Sequence, residues 1–453
     1  MLRFSASQDL KEGKLKLTED QFDWFASLLA VGALIGGPVA GILIDLLGRK
    51  TGIMLSALPF VTGWALIASA GNVYLLCLGR FLTGFACGMA SLSAPTYIAE
   101  ISSKQLRGLL GGGFQLAVVF GVLLAFLFGI PLSYIWLAIL AAIFGVCMVM
   151  LLLFIPESPR WYFKNNPEKA RKSLEWLRGP NSPSINAEIH EMEQTTVEQN
   201  QRQPFRELLL QKTVYKPLIL SVALMFFQQF SGVNAVLFFS NDIFKDAGFS
   251  SKSQQDTASV ILAIAQVVFT FVGCVLMDRA GRRILLVIAG ITMAVTCTTF
   301  SLYYILTEKN IAAKDATSMQ VLSVGSLGVY ISGFSIGWGP VPWLIMSEIF
   351  PEQARGPGSG IATATNWTFA FLVTRFFKNV EKAISPFGTF VAFAVANVVG
   401  VIFVLVFLPE TKGKTLAEIE AYFTGGERSD SYERIGEESD AEPVAADVTE
   451  LNE

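Results

Sequence analysis

Seven neutral amides stand inside the apolar stretches of this chain: Gln115, Gln228, Gln229, Asn234, Gln266, Asn366 and Asn397. An amide side chain both donates and accepts hydrogen bonds and carries no charge. It meets hydroxyl groups without the desolvation penalty that an ionised group suffers in an apolar interior. Trp343, Trp367 and Phe334 add flat apolar faces. Together they have the chemistry to hold a neutral, ring-shaped solute rich in hydroxyls. The competing reading is that interior amides only tie helices to one another. Asn397 is assigned to packing on that basis.

A second constellation is charged and occurs twice. Asp45-Leu46-Leu47-Gly48-Arg49-Lys50 recurs 233 positions later as Asp278-Arg279-Ala280-Gly281-Arg282-Arg283. Glu100 stands seven residues before Arg107-Gly108, and Glu348 stands seven before Arg355-Gly356. Pro156-Glu157-Ser158-Pro159-Arg160 is echoed by Pro409-Glu410-Thr411-Lys412-Gly413. Three signatures in one order at nearly constant offset indicate a duplicated unit. Ion pairs among Arg49, Glu100, Arg107, Glu157, Arg160, Asp278, Arg279, Arg282, Arg283, Glu348, Arg355 and Glu410 are expected to latch the two units together at one face and so to gate them. Pairs at a wet rim contribute roughly 0–1 kcal/mol each. Several together bias a two-state equilibrium without freezing it. Topology and helix capping are the alternative uses of the same residues.

The elements that position these residues are membrane helices. Hydrophobic residues make up 52% of the chain and charged ones 16%, against about 25% charged in soluble proteins. Mean hydropathy is +0.51. Apolar blocks of spanning length fall near 24–46, 52–70, 73–97, 109–130, 134–155, 217–240, 257–277, 284–306, 320–347, 358–377 and 386–408. The fold class is an all-α polytopic membrane protein of two pseudo-symmetric bundles, the architecture of an alternating-access carrier. The expected division is a polar segment 1–22, a five-span bundle 23–156, a helical inter-bundle domain 157–213, a six-span bundle 214–409 and an acidic tail 410–453. Loops carrying Arg49, Lys50, Lys104, Arg107, Arg282 and Arg283 define the cytoplasmic face by their positive charge, and they take the C-terminus with them. The second half is less clean, since Lys245, Lys252, Lys309, Lys314, Lys378 and Lys382 fall on the opposite side. Eleven spans are one short of a doubled six. The counterpart of the span at 217–240 would precede Met1, so the first half is expected to lack its opening helix, with a start that lies further upstream.

These signatures together resemble the sugar porters of the major facilitator superfamily, the family of facilitative glucose transporters, over about residues 18 to 425. Besides the repeated charged loops, the resemblance rests on Gly79-Arg80-Phe81, on the run Gln228-Gln229-Phe230-Ser231-Gly232-Val233-Asn234, on Gly339-Pro340-Val341-Pro342-Trp343 and on Asn366-Trp367. Gly337-Trp338-Gly339-Pro340 and Ser347-Glu348-Ile349-Phe350-Pro351 look closest to the branch holding intracellular hexose carriers and insect-type trehalose carriers. The resemblance implies twelve helices in two bundles of six. It implies sugar contacts at Gln115, Gln228, Gln229, Asn234, Gln266 and Asn366, with Trp343 and Trp367 packing the ring. At Gln266 the family commonly has Asn. Ser335 sits where several plasma-membrane carriers have Glu. Phe238-Phe239 matches an aromatic pair that closes the outer mouth and often contains Tyr. Passive transport of a hexose such as glucose is the function implied, with a trehalose carrier, a proton-coupled symporter and a non-transporting sugar sensor as alternatives.

Other features are assigned more modest parts. Arg80 lies inside an apolar span, where a charge costs at least about 2.5–3.5 kcal/mol and needs a partner. Gly32, Gly36, Gly37 and Gly41 permit close helix packing. Pro340 and Pro342, with Gly337 and Gly339, interrupt their helix. The cysteines form no CxxC pair, and the lone histidine, His190, is in a hydrophilic stretch, so no metal site is expected. No nucleophile–base set and no nucleotide loop suggests an enzyme or a cofactor, and the near-neutral charge of −3 suggests no nucleic-acid partner. The expected partners are a sugar and the lipid bilayer, with the chain a monomer in a plasma or endosomal–lysosomal membrane. From Gly425 onward the acidic composition indicates disorder. Within it, Tyr432-Glu433-Arg434-Ile435 fits a signal for trafficking adaptors.

Overall fold

A computed structural model describes residues 17–103, 107–180, 182–199, 205–246, 249, 251–308, 316–414 and 416–424. The spans of the first half are α1 (Glu19–Leu47), α2 (Arg49–Ala68), α3 (Val73–Ile101), α4 (Arg107–Gly129) and α5 (Tyr134–Leu152). Their starts are written locally. Thr18 and Gln21 form a capping box, with Gln21 N donating to Thr18 Oγ1 at 3.3 Å and Thr18 N donating to Gln21 Oε1 at 3.0 Å. Asn72 caps α3 through Leu75 N at 2.9 Å. Four short helices follow, α6 (Pro159–Asn165), α7 (Pro167–Arg178), α8 (Ser184–Gln199) and α9 (Phe205–Leu208). They are tied to the first half where Arg178 Nη1 donates to Ile101 O at 2.9 Å and Trp161 Nε1 to Asp45 O at 3.0 Å.

The second half contains α10 (Lys212–Phe230), α11 (Val233–Asp246), α12 (Lys252–Ala280), α13 (Arg282–Glu308), α14 (Ala316–Ile336), α15 (Val341–Ile349), α16 (Glu352–Phe407) and the short α17 (Leu416–Thr424). Among the described residues, ten helical segments are long and apolar enough to cross a bilayer. One of them is α16, whose 56 residues would run about 84 Å as one rod, far beyond a hydrocarbon core of about 30 Å. It reverses at Ser385 (φ 66°, ψ 163°), just before Pro386, and is two spans. Each of the eleven expected spans therefore falls on a helix. Two of them are broken. The span expected at 217–240 divides at Ser231-Gly232, where Gly232 has φ 97°. The span expected at 320–347 divides at Gly337 to Pro340.

Packing follows the duplication. In the first half α3 packs on α1 and α2, and α2 on α5. In the second, α13 packs on α14 and α16, α10 on α16, and α12 on α14. The halves meet along two seams, α1 against α16 and α4 against α12. The largest apolar core lies in the second half, around Phe244, Phe300, Tyr330, Trp338 and Phe390.

Candidate functional site

Gln228 and Asn366 are brought together at the break between α14 and α15. A helical carbonyl normally accepts from the N–H four residues on. For Trp338 that residue is Pro342, which has no N–H. Gln228, on α10, supplies the missing donor. Its Nε2 donates to Trp338 O at 2.7 Å and to Gly339 O at 3.0 Å. Its Oε1 accepts from Asn366 Nδ2, on α16, at 2.6 Å. One amide thus joins three helices. Beside it, Asn234 Nδ2 donates to Gln229 Oε1 at 2.5 Å across the break between α10 and α11. That break is itself held, because Ser231 O accepts from Tyr330 OH at 2.8 Å and from Asn397 Nδ2 at 3.4 Å. Asn397 also donates to Phe393 O at 2.8 Å, as a packing residue would.

Other candidate groups are not spoken for. Gln266 Oε1 on α12, Ser335 Oγ on α14 and Trp367 Nε1 on α16 are buried without a protein partner among the described residues. An unmet buried polar group costs about 1–3 kcal/mol, so groups of this kind are the ones a hydroxylated ligand would satisfy. Gln115 on α4 and Trp343 on α15 are partly buried. The resemblance treats Gln228 and Gln266 alike as sugar contacts. In this structure Gln228 holds the protein's own backbone, whereas the Gln266 oxygen is unengaged. Arg80 is buried on α3, its guanidinium carbon 5.4 Å from the centre of the Phe25 ring.

The charged signatures build two equivalent clusters. In the first, Arg49 Nε donates to Glu100 Oε1 at 3.0 Å, Arg49 Nη1 to Ile44 O at 3.1 Å, and Ser158 Oγ to Glu100. In the second, Arg282 Nη2 donates to Glu348 Oε1 at 2.9 Å, Arg282 Nη1 to Met277 O at 3.0 Å, and Thr411 Oγ1 to Glu348 Oε2 at 2.6 Å. Glu157 accepts from Lys50 N at 2.8 Å and Thr51 N at 3.3 Å, which caps α2. Glu410 accepts from Arg282 N at 3.0 Å and Arg283 N at 3.1 Å, which caps α13. A carboxylate at a helix N-terminus satisfies free N–H groups and meets the positive end of the helix dipole. Gly48 (φ 105°) and Gly281 (φ 93°) leave room for these acids, since a side chain at either would strike Glu157 or Glu410.

Among the described residues, the Arg49–Glu100 and Arg282–Glu348 pairs each lie within a single half. The physical reason is helix order. Each Arg opens the helix beside the one that ends in its Glu, so the partner is a neighbour in the same half. The clusters make each half a stiffer body. Arg355 Nη2 lies 3.5 Å from Phe350 O, and Arg160 is partly buried on α6. The side chains of Arg107, Asp278, Phe238 and Phe239, and the segment holding Tyr432 to Ile435, lie outside the described residues. Replacing Glu157 or Glu410 by Ala is expected to cost about 0.5–2 kcal/mol, the usual effect of a lost cap. Thermal unfolding in detergent reads this as a lower midpoint for both variants.

Two features went unread in the sequence. The break at Ser231-Gly232 gave no proline signal, and its cue was a glycine between the Gln228-Gln229 pair and Asn234. Arg375 sits inside an expected span, yet it reaches Asp20 of the other half at 2.6 Å.

Comparison with known proteins agrees with this architecture. The family described as "Sugar (and other) transporter" matches residues 3–423. The chain is 41% identical over 430 residues to "Solute carrier family 2, facilitated glucose transporter member 8" of Bos taurus, covering 90% of this chain and 87% of that protein. It is 39% identical to "Facilitated trehalose transporter Tret1" of Apis mellifera ligustica, covering 94% of this chain and 84% of that one. The solved structure of the proton:xylose symporter XylE, a major facilitator protein bound to 6-bromo-6-deoxy-D-glucose, superposes with a TM-score of 0.78 at 24% identity, covering 93% of this chain and 94% of that one. The fold is thus that of the major facilitator superfamily, and the chain is a multi-pass integral membrane protein. A family match over nearly the whole length, on two repeated helical halves that carry repeated charge clusters, places this chain in the sugar transporter family.

Proposed function

We propose that this chain carries a hexose by facilitated diffusion, exposing a site between its two halves to each side of the membrane in turn. The observation that carries the reading is the division of polar chemistry. The amides and indoles of the second half are uncharged and buried or partly buried, some paired with each other and some unmet, while the ion pairs of the repeated signatures stand at the helix ends. Sugar contacts are assigned to Gln115, Gln229, Asn234, Gln266, Trp343 and Trp367. Gln228 and Asn366 join them once their mutual bond opens to a hydroxyl. The end bearing both clusters is assigned to the cytoplasm. A protein named as a glucose carrier and one named as a trehalose carrier are about equally similar, so the disaccharide is the second reading.

Radiolabelled uptake into proteoliposomes tests all of this. Glucose uptake is expected to saturate and to stop at equal concentrations with or without a proton gradient. Accumulation driven by the gradient would make the protein a symporter, and uptake of trehalose alone would make it a disaccharide carrier. Trp367→Phe keeps the ring and removes the unmet N–H. Its half-saturation concentration is expected to rise about five- to tenfold, the worth of one buried hydrogen bond.

A further inference from the structure

We infer that Asp20, Trp24 and Arg375 form a clasp that holds the two halves together at the end opposite the charge clusters, and that this clasp sets how often the carrier opens there. The inference rests on the reading of the chain as a two-state carrier. Asp20 and Trp24 lie in the first two turns of α1, whose other end enters the Asp45–Arg49 cluster. Arg375 lies twenty residues past Arg355 on α16, a rise of about 30 Å, and so stands at the far end of its half. Arg375 Nη2 meets Asp20 Oδ1 at 2.6 Å. Its guanidinium carbon lies 4.9 Å from the centre of the Trp24 ring, within the range of a cation–π contact. Trp24 in turn meets Phe371, one turn below Arg375, with ring centres 6.3 Å apart.

The arrangement differs in kind from the two repeated clusters. The described pairs of each lie within one half and have counterparts in the other. The Asp20–Arg375 pair crosses the seam between α1 and α16. Rocking of the halves can leave the repeated clusters intact, but opening the mouth at this end must part the clasp. Only the Arg375 side is withdrawn from water, with side-chain exposures of 14% for Arg375 and 68% for Asp20. A pair with one wet partner is weak enough to break in every cycle. The clasp also gives a use to positive charge on the face where topology disfavours it. One helical turn further on, Lys378 pairs with Glu381 at 3.7 Å.

The test reads the two states without needing the sugar. The full chain is placed in nanodiscs with spin labels attached by orthogonal chemistry at positions 71 and 383, both exposed at this end, one in each half. Asp20→Asn and Arg375→Gln are each expected to raise the ratio of long to short label distances about two- to fivefold, the effect of losing one such pair. Arg375→Lys keeps the charge but loses the planar stack on Trp24, and is expected to fall between the parent and Arg375→Gln. The exchanged pair, Asp20→Arg with Arg375→Asp, is expected to recover most of the shift. An unchanged ratio in Asp20→Asn, or an exchanged pair that behaves no better than the single variants, overturns the clasp. Asp20 is exposed, so its variant carries the test even if Arg375→Gln does not fold. Uptake measured on the same preparations separates the two readings. Shifted distances with no uptake of any sugar would sink the carrier and leave the clasp standing.

Discussion

Replacing Gln228 and Gln229 together by Ala is expected to reduce sugar uptake at least about a hundredfold while the protein still reaches the membrane. The size follows from what the two amides hold. Gln228 serves the carbonyls of Trp338 and Gly339 and the amide of Asn366. Its loss leaves these groups buried and unmet, at about 1–3 kcal/mol each where water cannot replace it. The break between α14 and α15 then loses the strut that fixes Trp343, three residues past Pro340. Gln229 has a smaller part, since it only accepts from Asn234 Nδ2 at 2.5 Å, and its amide is the more available to a ligand. The single variants should therefore differ. Gln229→Ala should weaken uptake with little change in thermal midpoint, whereas Gln228→Ala should lower both. Uptake by tracer flux and unfolding by size-exclusion fluorescence check the pair. Wild-type flux in the double variant would remove the amides from the transport site.

Gly84→Val is expected to prevent the first half from folding. Of the glycines that the sequence marks for close packing on α1, Gly32 and Gly36 lie directly against the backbone of α3. A methyl group at Gly32 would overlap the carbonyl oxygen of Phe81, one at Gly36 that of Phe85, one at Gly84 that of Leu29 and one at Gly88 that of Ala33. In every case the obstacle is backbone, which cannot swing aside as a side-chain tip can. Overpacking a core costs about 1–3 kcal/mol when side chains yield, and here two helices must separate along their length. Loss of monodisperse protein on size exclusion is the expected result. Gly113→Ala is the control, because nothing lies within 4 Å of the added atom. A stable Gly84→Val protein would show that α1 and α3 do not depend on this contact.

The repeated clusters illustrate how far local sequence reaches. The spacing of Arg49, Glu100 and Glu157, echoed by Arg282, Glu348 and Glu410, identifies the duplication, and the structure repeats it contact by contact. The spacing leaves open which body each pair belongs to. A charge at a helix end is compatible with a partner on either side of the seam, and neighbour order within each half places the Arg49–Glu100 and Arg282–Glu348 pairs on the same side.

Helix lengths, the break at Gly337 to Pro340 and the scarcity of interior charge were legible in the chain itself. They depend on apolar run length and on a proline's missing N–H, which are properties of a few adjacent residues. The lack of a donor for the Trp338 carbonyl can be read from Pro342 alone. That Gln228 meets it, from 110 positions away, depends on how α10 lies against α15 and α16. The same holds for Arg375, which finds Asp20 across 355 positions only because α16 packs on α1. Composition and the repeated signatures determined that this is a duplicated, membrane-spanning helical protein with amides inside. The tertiary structure decided which amides are occupied, which are open and where the halves are fastened, because those outcomes depend on distances between helices that no local pattern encodes.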